Sequence, residues 1–155
     1  MRTTVAPERD DVAAGSAPVV RAVHVRAPQE KAFRLFTEQI GGWWPMESHS
    51  VFGATATVAM EHGVVVETSA TGERTVWAEV TLSEPPNRWS LRWHPGTDPE
   101  RPTTVDVTFV ADDEGTRVIV THTGWESLGE RAQEARRSYD DGWVPVLERL
   151  AEAIG

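Results

Sequence analysis

With 155 residues and a formal net charge of −9, the chain has the length of one domain able to bury about 70% of the surface its unfolded state would expose. It has no cysteine, which excludes disulfides, thiolate metal ligands and cysteine nucleophiles. Its acidity counts against nucleic acid as a partner, because that binding needs clustered Lys and Arg to release counterions.

The N-terminal stretch, residues 1–17, is rich in Ala, Pro, Asp, Glu and Arg without periodicity and predicts a flexible leader, leaving 18–155 as a single domain. It lacks an apolar signal core, and no later run approaches the roughly 20 apolar residues that span a bilayer, so no membrane span and a cytoplasmic location are expected. From Val19, "VVRAVHVRA" predicts a strand by its β-branched content, with the face of His24 left open. Pro28 then opens a helix in "PQEKAFRLFTEQIGG", where Ala32, Leu35, Phe36 and Ile40 recur at helical spacing and Gly41 and Gly42 supply the stop. The next loop, "IGGWWP", sets two tryptophans side by side. Neighbours in a loop tend to point apart, so Trp44, fixed by Pro45, is expected inward and Trp43 nearer solvent.

The segments "TATVAMEHG", "VVVETSATGERT" and "VWAEVTLSEPPNRWSLRWHP" predict consecutive antiparallel strands divided by turns. After the turn "EPPN", Trp89, Leu91 and Trp93 alternate with Arg88, Ser90 and Arg92, giving one apolar and one wet face. Period sets Trp77 opposite Val76, Ala78 and Val80, on the outer face of the sheet unless a bulge re-aims it. In "TTVDVTFVADDEGTRVIVTHTGW", Val105, Val107 and Phe109 share one face, and His122 points inward with Val118 and Val120. Arg92, His94 and the acidic "DDE" turn read as solvated surface. The last segment, from "SLGER" onward, predicts a long helix with the apolar stripe Ala132, Ala135, Tyr139, Trp143, Val146, Leu147, Leu150 and Ile154, bent near Pro145.

This order is α+β: a strand, a helix, about six further strands in one antiparallel sheet, and a long terminal helix. Such a helix laid across the concave face of a curved sheet would leave a cavity lined by inward aromatics.

The stretches "VRAPQEKAFRLFTEQIGGWWP", "SEPPNRWSLRW", "EGTRVIVTHTGW" and "DGWVPVLERLAEAI" resemble the START-like SRPBCC superfamily, in the branch homologous to the C-terminal domain of the activator of heat-shock protein 90 ATPase. The resemblance runs from Val19 to Ile154. It implies a helix-grip fold, a curved antiparallel sheet of about six or seven strands wrapped around the last helix and a hydrophobic cavity, and its Gly-Trp pair corresponds to Gly142 and Trp143. The chain departs from the pattern in having Gly63 alone where many members carry a glycine pair, and Ala78 where a glycine is common. Functions in the superfamily range from lipid carriage to polyketide cyclisation, so fold alone names none of them.

The candidate ligand-binding residues are Phe36, Trp44, Trp89, Trp93, His122, Tyr139 and Trp143, around a small apolar molecule of lipid or polyketide type. His122 either orients that ligand or is a core histidine satisfied by Tyr139 or backbone. No catalytic residue, metal or cofactor is expected. "PMESHS" brings Glu47, Ser48, His49 and Ser50 together without a G-x-S-x-G elbow and reads as a capped loop, and the histidines lack H-E-x-x-H spacing. Two other functions compete: a chaperone-associated modulator presenting Trp43 and Trp77 to a protein partner, and a cyclase-like enzyme using His122 and Tyr139 as proton donor and acceptor.

Overall fold

Strand alternation and turn chemistry account for most of the architecture. The structure is a computed structural model that describes residues 17–154; most of the expected leader lies outside the described residues. Seven strands form one antiparallel sheet in the order β1-β7-β6-β5-β4-β3-β2. They are β1 (Val19–Val25), β2 (Thr57–Glu61), β3 (Val64–Thr68), β4 (Arg74–Glu84), β5 (Arg88–Trp93), β6 (Thr103–Asp112) and β7 (Gly115–Thr123). The first strand pairs with the last, so β1 and β7 lie side by side at one edge of the sheet. Helix α1 (Gln29–Phe36) follows β1, and α2 (Ala132–Ile154) ends the chain and packs against β1. The expected α+β helix-grip class is the one observed.

The inward faces predicted by period two for the central strands are found, whereas Ser90, expected on the wet face of β5, is buried at 7% and its hydroxyl donates to Asp106 on β6. Val105, Val107 and Phe109 on β6 lie opposite His122, Val120 and Val118 on β7, and all six are buried. Trp89, Leu91 and Trp93 continue the same inward rows on β5. Cross-strand pairs of this kind are the unit of sheet stabilisation. The β2–β3 hairpin turns on His62 and Gly63, both at positive φ (50° and 82°), as a two-residue turn compatible with strand twist requires.

Four other expectations change. Trp77 faces inward and is 1% exposed, because β4 bulges there: Val65 pairs with Ala78 and Val66 with Val76, leaving Trp77 as the extra residue. A bulge reverses the alternation that period two would impose. Trp43 is also buried, at 3%, with its indole N–H donating to the Leu35 carbonyl (2.8 Å) and its ring against Phe36, so both loop tryptophans enter the core. The first helix ends at Phe36, and Ile40–Gly42 forms a separate 3-10 turn; the Thr37 hydroxyl and N–H both engage the Phe33 carbonyl at the break. The last helix begins at Ala132, since Trp125–Arg131 is 3-10 and Gly129 takes a left-handed φ of 61°.

Gly41 itself tolerates no side chain: a Cβ there would be driven into the Val58 carbonyl oxygen. The 3-10 turn thereby closes on β2, one of the two edge strands of the sheet.

Candidate functional site

All seven tryptophans are buried. Four of them, Trp44, Trp77, Trp93 and Trp143, make a connected set with ring centroids 5.3–6.1 Å apart. They come from different parts of the sequence: the loop after α1, the bulge in β4, the end of β5 and the middle of α2. Tilted and edge-on contacts suit the quadrupoles of aromatic rings. The space beneath the helix is therefore largely occupied by indole.

What stays open is a cleft of about 440 Å³ above this set, between the 44–51 loop, the ends of β4 and β5, and α2. Its wall combines the four tryptophans with Tyr139, Val146 and Pro95, and its polar groups are Ser48, His49, Ser50, Ser138 and Asp141. A mostly apolar concavity of this size with a few convergent polar groups has the form of a small-molecule site. His49 is held through Nδ1 by the Ser48 hydroxyl (2.7 Å), while its Nε2 approaches Gly142 on α2. Glu47 turns away to pair with Arg149, so the loop assembles no hydrolytic triad.

Of the seven candidate residues, Trp44, Trp93, Tyr139 and Trp143 line the cleft. Phe36 and Trp89 do not; they pack edge-on against each other, with Phe36 also against Trp43 and Phe109, at the α1 end of the core. His122 lies behind the cleft wall, 0% exposed. Its Nδ1 accepts the Trp143 indole N–H (3.1 Å), so Nε2 carries the proton and donates to Thr103 Oγ1 (2.7 Å), whose own proton goes to the Trp93 carbonyl (3.4 Å). Burial holds the imidazole pKa down at about 3, and protonation of Nδ1 would set two N–H groups against each other. Tyr139 packs on His122 with ring centroids 4.7 Å apart, but its hydroxyl accepts from Trp93 Nε1 (3.1 Å). Burial pushes the phenol pKa up, opposed in part by that hydrogen bond.

Two polar groups acquire roles that alternation did not indicate. Glu67, fully buried on β3, accepts the backbone N–H groups of Val51 (2.9 Å) and Phe52 (2.8 Å) and the Trp77 indole N–H (2.9 Å). One carboxylate thus ties the lip of the cleft to its floor. The available signal was a glutamate inside the apolar run "VVVET". His94, expected in solvent, is 4% exposed and sits 3.0 Å from both carboxylate oxygens of Glu79. It lies just past the end of β5, where its N–H bonds to the Trp77 carbonyl (2.7 Å) and the strand's alternation no longer applies. Arg92 and the Asp112–Glu114 turn are exposed, as expected.

Among the described residues, no group of three or more His, Asp or Glu side chains is placed to hold a metal ion, and no helix is long and apolar enough to cross a membrane.

Residues 26–155 match the family model of the Activator of Hsp90 ATPase homolog 1-like protein. No curated protein matches the chain. Among solved structures, protein MLL2253 from Mesorhizobium loti aligns with a TM-score of 0.62 at 20% identity, over 87% of this chain and 94% of that one. Bacillus halodurans protein BH1534 aligns with a TM-score of 0.61 at 22% identity, over 89% and 96%. The anthrahydroquino-Gama-pyrone synthase Txn09, solved in complex with SUM, aligns with a TM-score of 0.59 at 28% identity, over 90% and 99%. The fold, the order of its elements and the family match agree: this chain belongs to the Activator of Hsp90 ATPase homolog 1-like family, within the START-like SRPBCC superfamily.

Proposed function

We propose that the protein binds a small, planar, largely apolar molecule in the tryptophan cleft. The observation that carries this reading is the cleft itself: about 440 Å³ walled by four indoles and a phenol, with the few polar groups gathered on one loop and one turn of α2. Flat aromatic walls favour a flat aromatic guest, and isolated hydroxyl and imidazole groups orient it through its oxygens. The 28% identity to a synthase named for an anthrahydroquino-pyrone supports the same class, an oxygenated polycyclic of polyketide type. The chaperone-modulator reading loses the two side chains offered for it, since Trp43 and Trp77 are both buried.

The test is a titration of the protein with fused-ring phenols and quinones, and with fatty acids as the lipid comparison, followed by tryptophan fluorescence and calorimetry. Saturable binding with one site per chain is expected for the fused-ring compounds. A flat response across the whole panel would sink the proposal.

A cyclase-like enzyme is the second reading, and the likeness to the synthase favours it. In that case the proton-handling group would be His49, which lines the cleft with Ser48 on its Nδ1, instead of His122, whose two nitrogens are both engaged behind the wall.

A further inference from the structure

Trp93 and Tyr139 have open space on two sides. A second cleft, of about 340 Å³, lies between the turn after β5, the 3-10 segment and the first turns of α2, and Trp93, Ser138 and Tyr139 line both clefts. Two of these shared residues are joined by a hydrogen bond, from the Trp93 indole N–H to the Tyr139 hydroxyl (3.1 Å). No described residue accepts the proton of that hydroxyl. The two spaces differ in chemistry: indoles dominate the first, whereas the second sets His94, Thr97, Thr103, Arg131 and Glu134 beside Leu128 and Ala135.

A third observation lies beside this pair. Trp125 is 0% exposed, and its indole N–H has no hydrogen-bond partner. Its ring is 4.2 Å from His122 and 5.8 Å from Tyr139. Buried donors are almost always paired, and an unpaired one calls for an explanation.

We propose that the Trp93–Tyr139 pair is a movable partition, and that the two clefts together take one elongated ligand, with its aromatic body among the tryptophans and an oxygen-bearing end in the polar cleft. The inference rests on the reading of the tryptophan cleft as a ligand site. A carbonyl or phenol oxygen of the ligand replaces the Tyr139 hydroxyl as acceptor for the Trp93 N–H. As Tyr139 withdraws, the Trp125 N–H, unpaired while the partition is shut, gains access to an acceptor. Arg131 and Glu134 set opposite charges in the polar cleft, which favours a neutral polar end over a fully charged one. A ligand confined to the first cleft leaves the partition shut.

The indole N–H resonances of the full chain, assigned with Trp→Phe variants, read this directly in a heteronuclear NMR titration. The probes are 4,4′-dihydroxybiphenyl and its half-length counterpart 4-methylphenol. The biphenyl is expected to shift Trp125, which lines neither cleft, along with Trp44, Trp77 and Trp143; 4-methylphenol is expected to leave Trp125 unmoved. Tyr139→Phe, which removes the acceptor and keeps the ring, is expected to tighten the biphenyl about threefold or more relative to 4-methylphenol. If the biphenyl moves Trp44, Trp77 and Trp143 while Trp125 stays fixed, the first cleft binds and the movable partition is overturned. Equal tightening of both probes by Tyr139→Phe also overturns it. Silence from every indole with both probes overturns the partition and the ligand site together.

Discussion

His122 shows how one buried residue couples packing to pH. Its Nδ1 accepts from Trp143 and its Nε2 donates to Thr103, so the neutral ring is satisfied and a second proton has no acceptor waiting. Burial lowers its pKa from 6.5 to about 3. Between those values the unfolded chain binds a proton that the folded chain refuses, so stability rises with pH across that window. The contribution is fully present above pH 6.5 and is lost as pH falls toward 3, with a slope of about 1.4 kcal/mol per pH unit inside the window. Asp112 and Glu47 carry depressed pKa values for other reasons, a hydrogen bond from His24 for the first and from its own backbone N–H for the second, but both are exposed and contribute little. Chemical denaturation of wild type and His122→Gln at pH 4, 5 and 6 checks this. The variant is expected to be less stable at neutral pH and to lose much of the acid slope; an unchanged slope would place the acid sensitivity elsewhere.

At the scale of elements, Gly142 separates stability from binding. It lies in α2 on the wall of the cleft, and a Cβ added there would meet His49 Nε2 at 3.7 Å, an ordinary contact. Replacing a helix-interior glycine by alanine is worth up to about 1 kcal/mol, so Gly142→Ala is expected to raise the unfolding midpoint while weakening a bound fused-ring ligand by filling space beside His49. Parallel melts and titrations check it, and a variant that gains stability without losing affinity would remove Gly142 from the site. The same helix shows what was legible in the sequence. Its stripe from Tyr139 through Trp143 and Val146 to Leu150 follows from 3.6-residue period, and the inward His122 from period two, because each depends on one element alone. The turning of Trp77 was not legible. It depends on the register between β3 and β4, and a one-residue bulge reverses a side chain without leaving a mark in the alternation. Glu67 escaped for a related reason: its three donors come from a loop and a neighbouring strand, so its burial makes sense only after the chain has closed.

Across the whole molecule, the helix-grip cavity is divided between indole that fills it and a cleft that does not, and Trp44 stands at the boundary. Its ring contacts Trp43, Trp77, Trp93 and Trp143, its N–H donates to the His49 carbonyl (2.7 Å), and it also lines the cleft. A lid would be dispensable to the fold, whereas a keystone would not. The number and closeness of its aromatic neighbours argue for the keystone, and truncating a buried aromatic of this kind costs about 3–5 kcal/mol. Trp44→Ala is therefore expected to lower stability by that amount and to leave a void continuous with the cleft. Such a void should accept a molecule shaped like the missing side chain, so millimolar indole is expected to raise the variant's unfolding midpoint by more than the wild type's, through binding to the folded state alone. Thermal melts of both proteins with and without indole decide the matter. A variant that melts like wild type makes Trp44 a lid, and one that falls without indole rescue means the walls collapse to fill the gap.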